Sequence, residues 1–493
     1  PDGGSVSYGY DTANRLSSMT DWMGRGTTFG YDSLGRRTGL NFSNGTKASY
    51  SYDPAGRLTD LSHKTGGGSI IDSFSYTNNQ VGNRLSVMMP NEKLSYAYDL
   101  LDRLIEATPT KLPGTDIEMM HKAEDFTYDP VGNRITGPEA IDAYAYNQGN
   151  QLISDRKNQY QYDRNGNLIS KTETEDAGTT KSWTYTYDAE NRLVKVVKQE
   201  LGVTKTIAFK YDPFGRRIEK KMEGIEAGIA ETKTYSYVYD NEDIIAEYLT
   251  KTENGVSRTE TTKYLHGLGI DEPLEINRKG DTYYYHTDGL GSITALSDST
   301  QKAMERYSYS SFGELKRQGD KVKNAYTFTG REWDEEIDLY YYRARYYDAG
   351  VGRFISEDPI LQPTNVQFSC CGACGQAQDI SMPSFEFIKE FPQKLNPYLY
   401  VGNNSINTTD PYGLFYYKKG VPPPEIPRFL PNTGEAADIS FRLNPGLNTK
   451  NVMCCAKKCG FGFAQTESDH YHVQIPAGRG GSHGELPECG CDK

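Results

Sequence analysis

Along the first half of the chain, apolar and polar positions alternate with a period of two, and Asp and Gly interrupt the alternation at short intervals. Tyr50-Ser51-Tyr52-Asp53, followed by Gly56-Arg57-Leu58, shows the unit in full. An aromatic-x-Tyr run ends on Asp, a turn on Asp and Gly follows, and the next alternating run begins. Further copies start at Tyr8, Phe29, Tyr96, Phe126, Tyr160, Tyr185, Phe209 and Tyr237. Degenerate copies sit at Tyr76 and Tyr146, where Thr77 and Asn147 stand in the place of Asp. Alternation sends successive side chains to opposite faces of a strand, and Asp and Gly supply the turn chemistry of a hairpin. The spacing is irregular, from 16 residues between Tyr146 and Tyr162 to 30 between Tyr98 and Tyr128, which no fixed-period helical solenoid would show. Two strands and two turns fill a unit of about 21 residues. The prediction is an all-β chain whose hairpins form one long antiparallel sheet, curled because flat sheets of that length are unusual.

In this pattern the repeat Asp is a turn residue that closes its own backbone hydrogen bonds, and the Arg after the Gly pairs locally.

Composition sharpens the picture. Tyr reaches 38 residues and Gly 49, while the apolar share is only 36% and mean hydropathy is -0.70. A disordered chain would be short of aromatics. Tyr packs its ring and wets its hydroxyl, which suits a wide wall better than a small dry core. The net charge of -12 argues against non-specific nucleic-acid binding by the whole chain. No apolar run approaches the ~18–20 residues of a membrane span. Pro1-Asp2 starts inside a repeat, so a missing N-terminal portion is expected.

The stretch Asp338–Leu414 differs from the repeats. It opens with Leu339-Tyr340-Tyr341-Tyr342-Arg343-Ala344-Arg345-Tyr346-Tyr347-Asp348, and its two halves end on Asp358-Pro359 and Asp410-Pro411. Asp-Pro by itself is a turn initiator.

The unit Tyr-Asp-x-x-Gly-Arg/Asn-Leu resembles the YD repeat of the Rhs (rearrangement hot spot) family, shared with the C subunits of insecticidal toxin complexes and with teneurins. Tyr283–Ser292, Phe328–Glu332, Leu339–Asp348, Gly352–Pro359 and Asp410–Leu414 resemble successive parts of the Rhs repeat-associated core. The resemblance covers roughly residues 5–414. It implies a spiralling sheet wound into a hollow cocoon, here only a partial one, plugged by the core. It also implies a variable effector after Gly413-Leu414, cut off and held as cargo. The organisation expected is a repeat shell over 1–280, the core over 281–360, a Cys-containing insertion over 361–394, the end of the core over 395–414, and an effector tail over 415–493. The two Asp matched by motif to the self-cleaving role are Asp358 and Asp410, with Arg353 in support and the scissile bond at Leu414-Phe415. Two neighbouring carboxylates share one proton, so the pair can serve as base to water and acid to a leaving amide. The insertion, Leu361–Lys394, stands where the family has a short link, and it either loops out or spoils the pair.

All eight Cys lie outside the repeats, in the insertion (Cys370, Cys371, Cys374) and the tail (Cys454, Cys455, Cys459, Cys489, Cys491). Disulfides, unpaired thiols, and a zinc site of Cys454, Cys455 and Cys459 with His470 and His472 all fit this clustering. The shell itself requires no cofactor. His470-Tyr471-His472 places two imidazoles on one strand face, where they suit metal binding or acid–base work on a phosphodiester, and Arg479 and His483 follow in a Gly-rich run. Nucleic acid enters only as a substrate of that tail.

Two function classes follow. The first is an exported polymorphic toxin, secreted or at the cell surface. It would have its own tail as cargo, an immunity protein, and a delivery apparatus such as a type VI spike or a toxin-complex subunit. The second is an uncut structural or adhesive wall at a cell surface.

Overall fold

The computed structural model describes residues 4–115, 119–138, 144–174, 180–226, 229–319, 321–359 and 396–414, and the backbone of three tail strands, 437–440, 463–466 and 470–474. The chain divides into two compact units, residues 1–362 with 383–418, and residues 363–382 with 419–493.

The first unit is built of antiparallel strands taken in chain order. Eleven strands, from Ser7–Tyr10 to Glu124–Asp125, make one sheet, and sixteen, from Ala145–Tyr146 to Leu315–Gln318, make a second. The second sheet runs across residue 280 without a break. Among the described residues there is no α-helix. The fold class is as the alternation predicted.

The repeat turns explain why the sheet forms. In the unit at Asp53, the Gly56 amide donates to the Asp53 carbonyl at 2.9 Å, the Arg57 amide donates to Asp53 Oδ1 at 2.9 Å, and Arg57 Nε donates to Asp53 Oδ2 at 2.6 Å. Gly56 takes φ 80°, the left-handed conformation that the fourth position of this turn demands. The repeat Asp therefore closes its turn, and the Arg pairs locally. The Arg also reaches further: Arg36 donates to the Asp53 carbonyl of the next unit at 3.2 Å and covers the Tyr52 ring at 4.7 Å. The second Tyr of a unit returns the link, as where Tyr52 donates its hydroxyl to the Arg37 carbonyl at 2.8 Å. At Tyr76 the turn is shifted by two residues from the reading above: Asn79, rather than Thr77, takes the Asp place and accepts the Asn83 amide at 2.9 Å.

The first sheet packs face to face on the second. Leu61, Phe74 and Leu94 share a core with Leu265, Leu274 and Tyr284. Polar contacts cross the same interface, including Ser43 to Tyr284 at 2.8 Å and the Gly289 amide donating to Tyr76 at 2.8 Å.

A third sheet has four strands, Glu332–Asp334, Leu339–Tyr342, Arg345–Asp348 and Arg353–Phe354, and together with residues 396–414 is called the seal below. Its central hairpin alternates faces. Tyr341 and Tyr346 pack on wall residues such as Val196 and Phe209, while Tyr340, Tyr342 and Tyr347 join Phe328, Phe354 and Tyr400. Both faces are thus buried under aromatics.

In the second unit, strand His470–Gln474 lies between Ala437–Ser440 and Phe463–Thr466, with His472 paired to Asp438 and His470 to Ser440. The insertion and all the cysteines lie outside the described residues.

Candidate functional site

Asp410 begins a turn of the kind that the repeats use. The Gly413 amide donates to the Asp410 carbonyl at 3.3 Å, and the Leu414 amide donates to Asp410 Oδ1 at 3.0 Å. In a repeat, the residue four beyond the Asp is an Arg or Asn that occupies Oδ2. Here it is Leu414, which leaves Oδ2 to be met from elsewhere. Gly413 has φ 65°, and a Cβ there would run into the carbonyl oxygen of Tyr342, so only glycine lets the turn lie so close to the central hairpin.

The group that meets Oδ2 is Arg345, at the start of the hairpin's second strand. Its Nη2 lies 3.4 Å from Asp410 Oδ2 and 3.0 Å from Asp358 Oδ2. Its Nη1 donates to the Pro397 carbonyl at 2.9 Å, its Nε donates to the Gly413 carbonyl, and its Cζ lies 3.6 Å from the centre of the Phe354 ring. One guanidinium thus gathers Asp358, Asp410 and the last turn before Leu414. All three side chains are almost wholly buried. Asp358 is held in place through its amide, which donates to the Pro397 carbonyl at 3.1 Å.

The electrostatics set Asp410 apart from the repeat carboxylates. In Asp53, hydrogen bonds from the Arg57 amide and side chain hold the carboxyl below its usual range. In Asp410, burial dominates and is reinforced by the Asp358 charge, against the opposing pull of Arg345 and the Leu414 amide, and the carboxyl is pushed up to about 7. A carboxyl that keeps its proton to neutrality, beside a second carboxylate on the same cation, can act as acid while its partner acts as base.

The structure therefore brings together Asp358, Asp410 and Leu414. It places Arg353 elsewhere. Arg353 Nη1 donates to Asn133 at 2.9 Å, Nη2 donates to the Asn150 carbonyl, and the guanidinium lies over the rings of Tyr146 and Tyr398. Arg353 thus bonds to the wall, and the cation that lies between the two Asp is Arg345, which the sequence reading did not single out. Phe415, Arg479, His483 and the tail cysteines lie outside the described residues. Of His470 and His472, only the place on the central tail strand is described. Among the described residues, no cluster of three or more His, Cys, Asp or Glu forms a metal site, and no helix is long and apolar enough to cross a membrane.

The model of the teneurin YD-shell matches residues 73–367, more than half of the chain, and the Rhs repeat model matches 10–47 and 31–70. The chain belongs to the teneurin YD-shell family. The tRNA nuclease WapA of Bacillus subtilis (strain 168) is 32% identical over 326 residues, which are 64% of this chain and 12% of that protein. The double-stranded DNA deaminase toxin A of Burkholderia cenocepacia (strain H111) is 29% identical over 295 residues, 54% of this chain and 19% of that one. This YD-shell chain thus spans under a fifth of the length of either relative. Among solved structures, TcdB2-TccC3 covers 83% of the chain at a TM-score of 0.54 and 17% identity, with 22% of its own length matched. The Photorhabdus luminescens Tc holotoxin pore gives 0.53 at 16% identity, over 84% of this chain and 21% of that one. At that identity the likeness is one of fold.

Proposed function

We propose that this chain is the shell-and-seal portion of an Rhs-type polymorphic toxin that cuts itself once, between Leu414 and Phe415, to free the segment 415–493 as an effector. The observation that carries the reading is the convergence of Asp358 and Asp410 on Arg345, with the Leu414 amide on Asp410 itself. Asp358, held by Arg345, takes a proton from a water as the water oxygen attacks the Leu414 carbonyl carbon. Asp410 gives its proton to the carbonyl oxygen. Asp358 then passes its proton to the Phe415 nitrogen while a hydroxyl of the tetrahedral carbon returns a proton to Asp410, so the C–N bond breaks to leave a carboxyl on Leu414 and an amino group on Phe415.

The wider reading draws on the relatives, whose names describe a tRNA nuclease and a DNA deaminase toxin. By that analogy the chain is secreted or at the cell surface, works with a delivery apparatus and the rest of the shell wall, and is countered by an immunity protein. The tail acts on nucleic acid, with His470 and His472 as acid and base or, with Cys454, Cys455 and Cys459, as zinc ligands. Arg479 and His483 serve phosphate binding.

The test is the intact mass of freshly purified, denatured protein, beside Asp358→Asn and Asp410→Asn. The expected outcome is a fragment beginning at Phe415 in the parent chain and a single uncut chain in both variants. Cleavage of either variant at the parent rate would remove that Asp from the site. An uncut parent chain would return the protein to the class of passive wall proteins.

A further inference from the structure

His63, on strand Leu58–Lys64 of the first sheet, meets His286, on strand Asp281–Thr287 of the second. Their Nδ1 atoms are 3.2 Å apart, and the rings meet edge to face with centroids 5.0 Å apart. His63 Nε2 lies 2.8 Å from the Thr287 carbonyl oxygen, and His286 Nε2 lies 2.8 Å from Ser297 Oγ. Both imidazoles and Ser297 are buried.

These contacts fix the protons. A carbonyl only accepts, so His63 carries hydrogen on Nε2 and its Nδ1 is a bare acceptor. His286 then donates from Nδ1 and accepts from the Ser297 hydroxyl at Nε2. One continuous chain of donors and acceptors runs from Ser297 through both rings to Thr287. One hydrogen thus already lies between the two Nδ1 atoms. A single added proton can go to His286 Nε2, with the Ser297 hydroxyl turning to accept it, but a second must go to His63 Nδ1. With both rings protonated, two N–H donors would point at each other 3.2 Å apart, and the contact between the sheets must break.

Among the described residues, no carboxylate bonds to either ring. From its own sheet, Asp72 stands opposite His63 in register, but its carboxyl is bonded by Thr294 and the Ser73 amide and faces Arg306. From the other sheet, Asp288 accepts the Leu290 and Ser292 amides in its own turn. The charged side chain that bears on His286 is Arg306, a cation whose Nη1 also donates to the Ile71 carbonyl at 3.0 Å. Phe42 covers another side of the His286 ring.

We propose that the His63–His286 pair is an acid-sensitive latch that holds the first sheet on the second at neutral pH and releases it on acidification. Burial takes the His63 imidazole down to about 4, against the hydrogen bond it donates to the Thr287 carbonyl, and takes His286 well below its usual range, with His63 and Arg306 adding to the effect. For a lowered His, the unfolded or opened chain binds the proton first. The latch is therefore intact above about 6.5, and its contribution is lost progressively as pH falls toward 4. Asp72 and Asp288 are raised by burial and shift stability in the opposite sense, so they cannot produce the same loss.

The experiment is hydrogen–deuterium exchange of the full chain between pH 7.5 and 4, corrected for intrinsic exchange, beside the double variant His63→Gln, His286→Asn. These amides keep a donor toward Thr287 and toward residue 63 and do not titrate. Expected is a loss of protection on the order of 100-fold in Leu58–Lys64 and Asp281–Thr287 of the parent chain, with Thr180–Tyr187 unchanged and the variant flat. Undiminished protection in the parent at pH 4, or equal loss in parent and variant, would overturn the proposal. If the variant does not fold, NMR of 13Cε1-labelled histidines in the parent decides. Two imidazoles must take up protons over the pH range in which protection disappears. Uptake with protection intact, or loss with both rings neutral, overturns it.

Discussion

Arg345 and Arg353 stand eight residues apart in the same sheet, and both are buried against aromatic rings, yet their partners differ completely. Arg353 finds Asn133 and Asn150 on the wall, whereas Arg345 finds Asp358, Asp410 and the Gly413 carbonyl. A guanidinium serves here because its planar fork can hold two carboxylates and two carbonyls at once, which an ammonium cannot. Arg345→Lys should therefore fold but cut at least about tenfold more slowly, as the fork that positions Asp410 and Gly413 is lost; a time course of intact mass after cell-free synthesis measures it. The same experiment run at several pH values tests the shared proton. With Asp410 releasing its proton at about 7, the rate should fall about tenfold per pH unit above it. A rate that rises through pH 8 would contradict the acid role. Both Asp were singled out in the sequence because Gly352–Pro359 and Asp410–Leu414 resemble the Rhs core; Asp-Pro alone does not mark them, since Asp53, Asp129 and Asp212 also precede Pro. Arg345 was not, since Arg343, Arg345 and Arg353 look alike there. What distinguishes it is pairing: Arg345 lies opposite Tyr342 and in phase with Tyr347, on the inner face of the hairpin.

At the scale of the element, the seal is fastened to the wall by charge as well as by aromatic packing. Arg217, on wall strand Arg217–Glu226, pairs with Glu332 at 2.7 Å and with Asp334, and Lys220 pairs with Asp334 at 2.7 Å. All four side chains are buried, so removing one partner strands the others. Asp334→Ala should cost about 3–5 kcal/mol in a denaturant titration, whereas exposed Lys210→Ala, whose ion pair with Glu219 lies at the surface, should cost under about 1 kcal/mol. The strands themselves were predictable, since period-two alternation and Asp-x-x-Gly turns act locally. The tie between Arg217 and Asp334 was not, because it joins residues more than a hundred positions apart and nothing in either local pattern calls for the other. The shifted turn at Asn79 is an intermediate case: its Gly82 stands three residues after Asn79, as Gly56 stands after Asp53, and that spacing could have corrected the reading.

At the scale of the whole molecule, the repeats make a wall whose units are linked turn to turn by Arg and Tyr, and the seal reuses the same turn with one residue changed. For the proposed effector, the register that puts His470 and His472 on the central tail strand makes them the first substitutions to test. His470→Ala with His472→Ala should abolish killing by the tail expressed in a sensitive cell, with the shell's own cleavage unaffected by intact mass. Unchanged killing would exclude both residues. The cysteine chemistry was open in the sequence for a physical reason: disulfide and zinc sites draw on the same clustered thiols, and only geometry separates them. The hold of Arg345 on the Gly413 carbonyl carries a consequence for direction. A cut after Leu414 would leave a third carboxylate next to two that already share one guanidinium, while the old chain end stays pinned where it was. Repulsion within that crowded cluster would favour departure of the new amino end over rejoining, so the scission would behave as a ratchet, opening the link to the cargo without loosening the plug.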